Sequence, residues 1–302
     1  MRIQRLLVWG ILIVAVVSLG VLLFGPGPAS GDVGNNKVLV VRLYGAIEES
    51  GMGILGGGSI TPEFVAKQLA RAEADPRVQA VVLRVSSPGG SIAASQEIYS
   101  LIARFPKPVV VSMGDQAASG GYYISAAADA IVANPGTITG SIGVISAVTN
   151  LEGLYEKLGI EVEIIKTGEH KDMLQRALTD EERQLLQDLS DEAWRQFVEA
   201  VAEGRSLDVA HVEQLATGEV FTGSQALELG LVDRLGDLDA AVQLAGELAG
   251  IDDPVPVEIE SPTLWQQLLG SVVSIARSAR THELADLFET IEGLKAAPPL
   301  RY

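Results

Sequence analysis

Cysteine is absent from this 302-residue chain. That excludes disulfides, a thiolate nucleophile, a lipid-bearing cysteine and zinc held through sulfur. Histidine is scarce: His170, His211 and His282 are scattered, show no metal-ligand spacing and stand in no obvious triad setting. Nothing argues for a metal or any other cofactor. Positive charge is also short, with 22 Lys and Arg against 39 Asp and Glu and a net charge of −17. Nucleic-acid binding needs a basic face, which so acidic a chain does not offer; the same charge favours solubility of an exposed domain. With 47% hydrophobic residues the chain can fill one or two cores.

What the chain does have begins at its N-terminus. Arg2 and Arg5 precede Leu6–Phe24, 19 residues without a charge. As a helix that run is long enough for a hydrocarbon core of about 30 Å. Ala29-Ser30-Gly31 would suit a cleaved signal peptide, but secretory apolar regions are usually about 7–15 residues, so a retained anchor is the favoured reading. The arginines then keep the N-terminus in the cytoplasm, and everything after Gly25 lies outside the cell membrane. The expected organisation is an anchor over 1–24, a Gly/Pro-rich linker over 25–36, a main domain over 37–250 and a C-terminal helical extension and tail over 251–302.

Along the main domain, strand and helix patterns alternate. Lys37–Leu43 is β-branched and apolar and reads as a strand. Gly51–Gly58 reads as a mobile loop. Thr61 is a suitable N-cap and Pro62 a suitable first residue for a helix to about Ala74. Ala80–Val85 and Pro108–Met113 read as strands buried on both faces, with a helix over Ser91–Phe105 between them. A helix over Gly120–Ala127 and strands at Ala130–Ala133, Ile142–Ser146 and Val162–Ile165 follow. Thr179-Asp180-Glu181-Glu182 opens a long helix to about Gly204, whose stripe Leu185, Leu186, Leu189, Trp194, Phe197, Val198, Val201 is expected to be buried on the core or a neighbouring subunit. Leu264–Ala279 reads as a further helix, and the last residues as an extended tail. This alternation argues for an α/β fold with helices packed on the sheet.

Two residues carry the chemistry. Ser119 lies in Ala117-Ala118-Ser119-Gly120-Gly121-Tyr122-Tyr123, and Lys171 lies 52 residues downstream in Gly168-Glu169-His170-Lys171-Asp172. A serine hydroxyl needs a base, and a lysine kept neutral by burial can serve where histidine cannot. By itself the first string also fits a tight strand-to-helix turn, and a lone lysine is ordinarily a solvated side chain. Context decides between these readings. Ser86-Ser87-Pro88-Gly89-Gly90-Ser91 lies upstream, Gly140-Ser141-Ile142-Gly143 downstream, and Val220-Phe221-Thr222-Gly223-Ser224 further on.

In this order and spacing the chain resembles the signal peptide peptidase SppA family in its short, single-repeat form, over about residues 37–250. The resemblance implies the spiral ββα fold shared by Clp-type proteases and crotonases. It implies Ser119 as nucleophile, Lys171 as general base, and Ser141 as the hydroxyl that orients the lysine. Gly90 and Gly120 become the oxyanion donors, and Gly89 leaves room for a substrate strand. Lys166 competes with Lys171, but precedes the glycine and reads as the polar end of its strand. His170 stands where an aromatic residue is common. The implied function is a membrane-anchored serine endopeptidase that degrades remnant signal peptides or other small membrane-associated peptides, in a groove near Ile92, Ala117 and Val144. The implied assembly is a homo-oligomer in which serine and lysine can come from neighbouring subunits. Alternatives are a related Ser-Lys protease that cuts one membrane-protein partner, a crotonase-like acyl-CoA enzyme and a non-catalytic scaffold.

Overall fold

In the computed structural model of the chain, residues 35–50 and 58–258 are described. The expected anchor, most of the linker and of the glycine-rich loop, the helix over 264–279 and the tail lie outside them. Among the described residues no helix is long and apolar enough to cross a membrane.

The elements run β1 (Lys37–Tyr44), α1 (Pro62–Ala74), β2 (Val78–Ser87), α2 (Ile92–Ala103), β3 (Val109–Ala118), α3 (Gly120–Ala126), β4 (Ala130–Ala133), β5 (Ile138–Gly140), α4 (Glu152–Leu158), α5 (Asp180–Arg205), α6 (Val209–Leu215), β6 (Val220–Thr222), α7 (Gly223–Glu228), β7 (Arg234–Leu235), α8 (Leu238–Ala249) and β8 (Val255–Glu258). β1, β2 and β3 are parallel neighbours, and β8 joins the free side of β1. Side chains alternate across these strands because successive residues point to opposite faces. Leu39, Val41, Leu43, Val81, Leu83, Val85, Val111 and Met113 enter one core, shared with α1, α2, α3 and α5. Val38, Val40, Ala80, Val82 and Val110 enter the other, covered by Ala241, Val242 and Ala245 of α8. The central strands are therefore buried on both faces, as their unbroken apolar runs predict.

β3 has two successive partners on its far side. Val110–Ser112 pair with β4, and Gln116–Ala118 pair with β5. The sheet splits there, and the half carrying β5 continues antiparallel into β6. This split sets the site, because Ser119 directly follows the half of β3 that pairs with β5.

Local signals behave as their chemistry requires. The Thr61 hydroxyl accepts the Phe64 N–H at 3.2 Å with Pro62 in the first turn, and Ser91 caps α2. Thr179 and Glu182 form a reciprocal capping box at the start of α5, worth about 1 kcal/mol or more.

Three expectations are corrected. No strand forms over Ile142–Ser146; the strand is Ile138–Gly140, and Ser141, at φ +51°, turns the chain out of the ladder while its N–H bonds Glu219 O. Val162–Ile165 is not a strand either: no neighbour offers it a ladder, and its apolar side chains are exposed. The stripe on α5 is buried only toward its C-terminal end, at Phe197, Val198 and Val201. Leu185 and Leu189 are 40% and 64% exposed, because only that end docks on α2 and α3.

Candidate active site

β3 delivers Ser119 in an uncommon conformation, φ 52°, ψ −123°. For a residue with a Cβ this costs about 1–3 kcal/mol, held in place by the surroundings. Its N–H donates to Gly140 O of β5 at 2.9 Å, and its carbonyl accepts the Tyr123 N–H of α3 at 2.9 Å. A serine in this position ordinarily caps the helix that follows. Here the hydroxyl makes no cap bond, so Oγ is left for other chemistry. The helix behind it is fully buried, with the Tyr122 hydroxyl donating to Leu231 O at 2.9 Å.

The turn after β2 closes over this serine. A Cβ on Gly89, at φ +101°, would stand 2.7 Å from Gly120 N and 2.8 Å from Ser119 Cβ. Only glycine fits there. A Cβ on Gly120 would meet Ser95 Oγ at 2.6 Å and Gly90 N at 3.2 Å. Gly90 N and Gly120 N thus lie on either side of one small space. Gly120 opens α3, so its N–H has no intrahelical acceptor, and Gly90 N–H has no protein acceptor among the described residues. Two free N–H groups beside a serine hydroxyl are what an oxyanion requires. The Gly89 N–H is used internally, on Ser87 Oγ at 3.1 Å, and its carbonyl accepts from Ile47 N.

Ser119, Gly90, Gly120 and Ser141 all line one open cavity of about 1310 Å³. Ile92 and Val144 also line it, as expected for the groove. Ala117 does not: it is fully buried in the core below. The far wall comes from α5, through Gln187, Asp191, Trp194 and Phe197. Trp194 is fixed by its Nε1–H donating to Ala216 O at 2.8 Å. Tyr123, with Phe197 at 4.9 Å and Tyr99 at 5.4 Å between ring centroids, joins cavity floor to wall. Burial pushes its phenol up from the ordinary value. The aromatic wall was missed in the sequence, although the Trp194–Phe197 pair on a helical stripe was its signal.

Lys171 lies elsewhere. It is exposed, does not line the cavity and makes no hydrogen bond or ion pair among the described residues. Lys166 is engaged: Nζ donates to Asp172 Oδ1 at 2.6 Å and to Glu169 O at 2.8 Å. Arg176 donates to Asp172 through Nε and Nη2 and to Glu182 through Nη1 and Nη2, at 2.7–3.1 Å. His170 Nδ1 lies 3.3 Å from Glu182 Oε1. Hydrogen bonds from Arg176, then Lys166, hold Asp172 down to about 2. Those from Arg176, then the Thr179 N–H, hold Glu182 well below the usual carboxylate range. This cluster was also missed; Thr179-Asp180-Glu181-Glu182 had marked the helix start, but not the arginine that joins Glu182 to Asp172.

Comparison with known proteins points to peptidases. The model of peptidase family S49 matches residues 103–252. A Synechocystis sp. protein named as a protease, slr0021, is 47% identical over 229 residues, covering 74% of this chain and 78% of its own. An Enterococcus faecium protein named as a signal peptide peptidase SppA is 36% identical, covering 76% and 68%. Protease 4 of Salmonella typhi is 37% identical over 80% of this chain, which spans only 39% of that longer protein. Among solved structures, the 1510-N membrane-bound stomatin-specific protease, in a mutant form, superposes with a TM-score of 0.51 at 16% identity, covering 75% of this chain and 98% of that one. That last likeness concerns the fold.

Proposed function

Since the chain belongs to peptidase family S49, the SppA family, and is a serine peptidase, we propose that Ser119 is its nucleophile and Lys171 its general base, the lysine being supplied by a second copy of the chain. Neutral Lys171 takes the proton from Ser119 Oγ, which attacks the peptide carbonyl. The N–H groups of Gly90 and Gly120 hold the oxyanion, and Ser141 Oγ orients the amine. The amine returns its proton to the leaving nitrogen, and water activated by Lys171 then releases the acyl group. The family membership sets aside the acyl-CoA and scaffold readings.

The observation that carries this reading is the strained Ser119, its hydroxyl unbonded on the cavity beside two free N–H groups. The exposed, unpaired Lys171 supports a site completed between subunits. The open groove, with Ile92, Val144, Ile145, Trp194 and Phe197 on its walls, supports peptide substrates such as remnant signal peptides. The uncharged run at 6–24 supports a retained single-pass anchor, with the body outside the cytoplasm. The split, mostly parallel sheet is in keeping with a spiral of ββα units.

The test is complementation. Ser119→Ala and Lys171→Ala copies, each inactive alone, are mixed under conditions that let subunits exchange. A dyad formed between copies regains roughly a quarter of wild-type activity, because half the serines meet half the lysines at random in a heterologous interface. Mixed assemblies that stay inactive while subunit exchange is demonstrated would remove the intersubunit dyad.

A further inference from the structure

Asp172 is the immediate neighbour of Lys171, and an unpaired carboxylate there would favour the ammonium form of the lysine. The whole chain, at −17, pushes the same way. Neither oxygen of Asp172 is unpaired, however. Oδ1 receives Lys166 Nζ and Arg176 Nη2, and Oδ2 receives Arg176 Nε. The same guanidinium grips Glu182, whose side chain is 1% exposed, and Glu182 also accepts the Thr179 N–H at 2.9 Å. Two cations therefore balance two carboxylates, and the loop that carries Lys171 is tied to the first turn of α5. Farther along, the same helix builds the cavity wall from Gln187 to Phe197; from Glu182 to Gln187 is five residues, about 7.5 Å of helix. Lys171 itself does not line the cavity of its own chain. The charged groups around Lys171 are Lys166, Glu169, His170, Asp172 and Arg176 on its own segment, and Asp180, Glu181, Glu182 and Arg183 on the first turn of α5.

We propose that Lys166 and Arg176 are positioning residues for Lys171: together they occupy the Asp172 carboxylate, so that it is withheld as a counter-ion from the neighbouring amine, which can then lose its proton more readily, while Arg176 fixes the amine-bearing loop on α5. This rests on the reading of Lys171 as the general base. Lys166, the rival base, is in this account a charge that screens rather than a proton acceptor. An ammonium bonded to a carboxylate and a carbonyl has no lone pair to offer.

The experiment uses the full chain in detergent. It reads the pH dependence of kcat/KM on an apolar fluorogenic peptide and, in parallel, the rate at which a fluorophosphonate probe labels Ser119. In Lys166→Met the alkaline rise of both profiles moves upward by about half a unit to one unit, and activity at high pH recovers to near the wild-type plateau. In Lys166→Met/Asp172→Asn the freed charge is gone, and the rise returns toward its wild-type position. Arg176→Lys keeps the charge and shifts the rise less than Arg176→Gln, while lowering the plateau because the bidentate grip is lost. A rise that stays put in Lys166→Met, with activity lowered equally at every pH, overturns the proposal and leaves Lys171 as base. Loss of all activity and labelling in Lys166→Met, with circular dichroism unchanged, makes Lys166 the base and overturns both. Lys171→Met that keeps its activity and its pH rise also overturns both.

Discussion

The surroundings of Ser119 are enclosed: Gly120 to Ala126 are all buried, β3 pairs on both sides, and the turn after β2 leaves no room for a Cβ at Gly89. The surroundings of Lys171 are open. No strand or helix forms between Leu158 and Asp180, and Ile165 and Leu174 are 93% and 59% exposed. The serine half of the site is held by hydrophobic burial and backbone hydrogen bonds, which a single chain completes. The lysine half is held by ion pairs, with apolar side chains left in solvent. On the proposed reading of a site completed between copies, this unpartnered apolar surface is where a second copy of the chain would pack.

The largest effect that tests this contrast is Ser119→Ala. Peptidase activity should fall by about 10⁴-fold or more, with the circular dichroism spectrum and melting temperature unchanged, since Oγ makes no bond that holds the fold. A variant that kept measurable turnover would move the nucleophile elsewhere. Gly89→Ala comes next. Its methyl would press on Gly120 N and Ser119 Cβ, so kcat should drop about 10²–10³-fold, the usual cost of an oxyanion donor. Unfolding should also become easier by about 1–3 kcal/mol. A normal kcat would show that these two turns are not as tightly joined as they look.

Trp194→Ala opens the cavity wall without touching the reacting atoms. KM should rise roughly tenfold while kcat changes little; the reverse split would make the indole part of the chemistry. The Arg176 cluster predicts a dependence on acid. Asp172 and Glu182 have folded values depressed below their unfolded values near 4, so their stabilisation is complete above about pH 4. It is lost as pH falls through the folded values, about 2 for Asp172 and lower for Glu182. Glu182→Gln should therefore melt below wild type from pH 5 to 8, and the gap should narrow steadily as pH falls from 4 toward 2; a gap of the same size at every pH would mean the glutamate acts by packing alone. Ile165→Ser should do least to the single chain, within about 0.5 kcal/mol, while weakening self-association in sedimentation. Unaltered association would make that face idle.

Much of the enclosed half was readable from residues alone. Thr61-Pro62 fixed the start of α1, unbroken β-branched runs marked β2 and β3, and Ser119-Gly120-Gly121 marked the turn that brings them to function. Each is a local signal, with cause and effect within a few residues. The split of β3 was not readable, because it depends on two short strands that divide one edge between them. The Arg176 cluster joins residues 166 to 182 through side chains whose spacing has no periodicity. The end of the α5 stripe also escaped, since Leu185 and Leu189 carry the right pattern but have no surface in their own chain to meet.

The interlock of Gly89 with Ser119 and Gly120 has a consequence for how such an enzyme can diversify. Neither turn can accept a side chain without displacing the other, so a changed substrate preference cannot arise by substitution at 89 or 120. Variation is open only on the rim, at Ile92 and Val144 and along the exposed face of α5, where side chains reach the cavity but not the reacting atoms. A lineage of these chains can therefore drift widely in what it cuts while the machinery that cuts stays letter for letter the same.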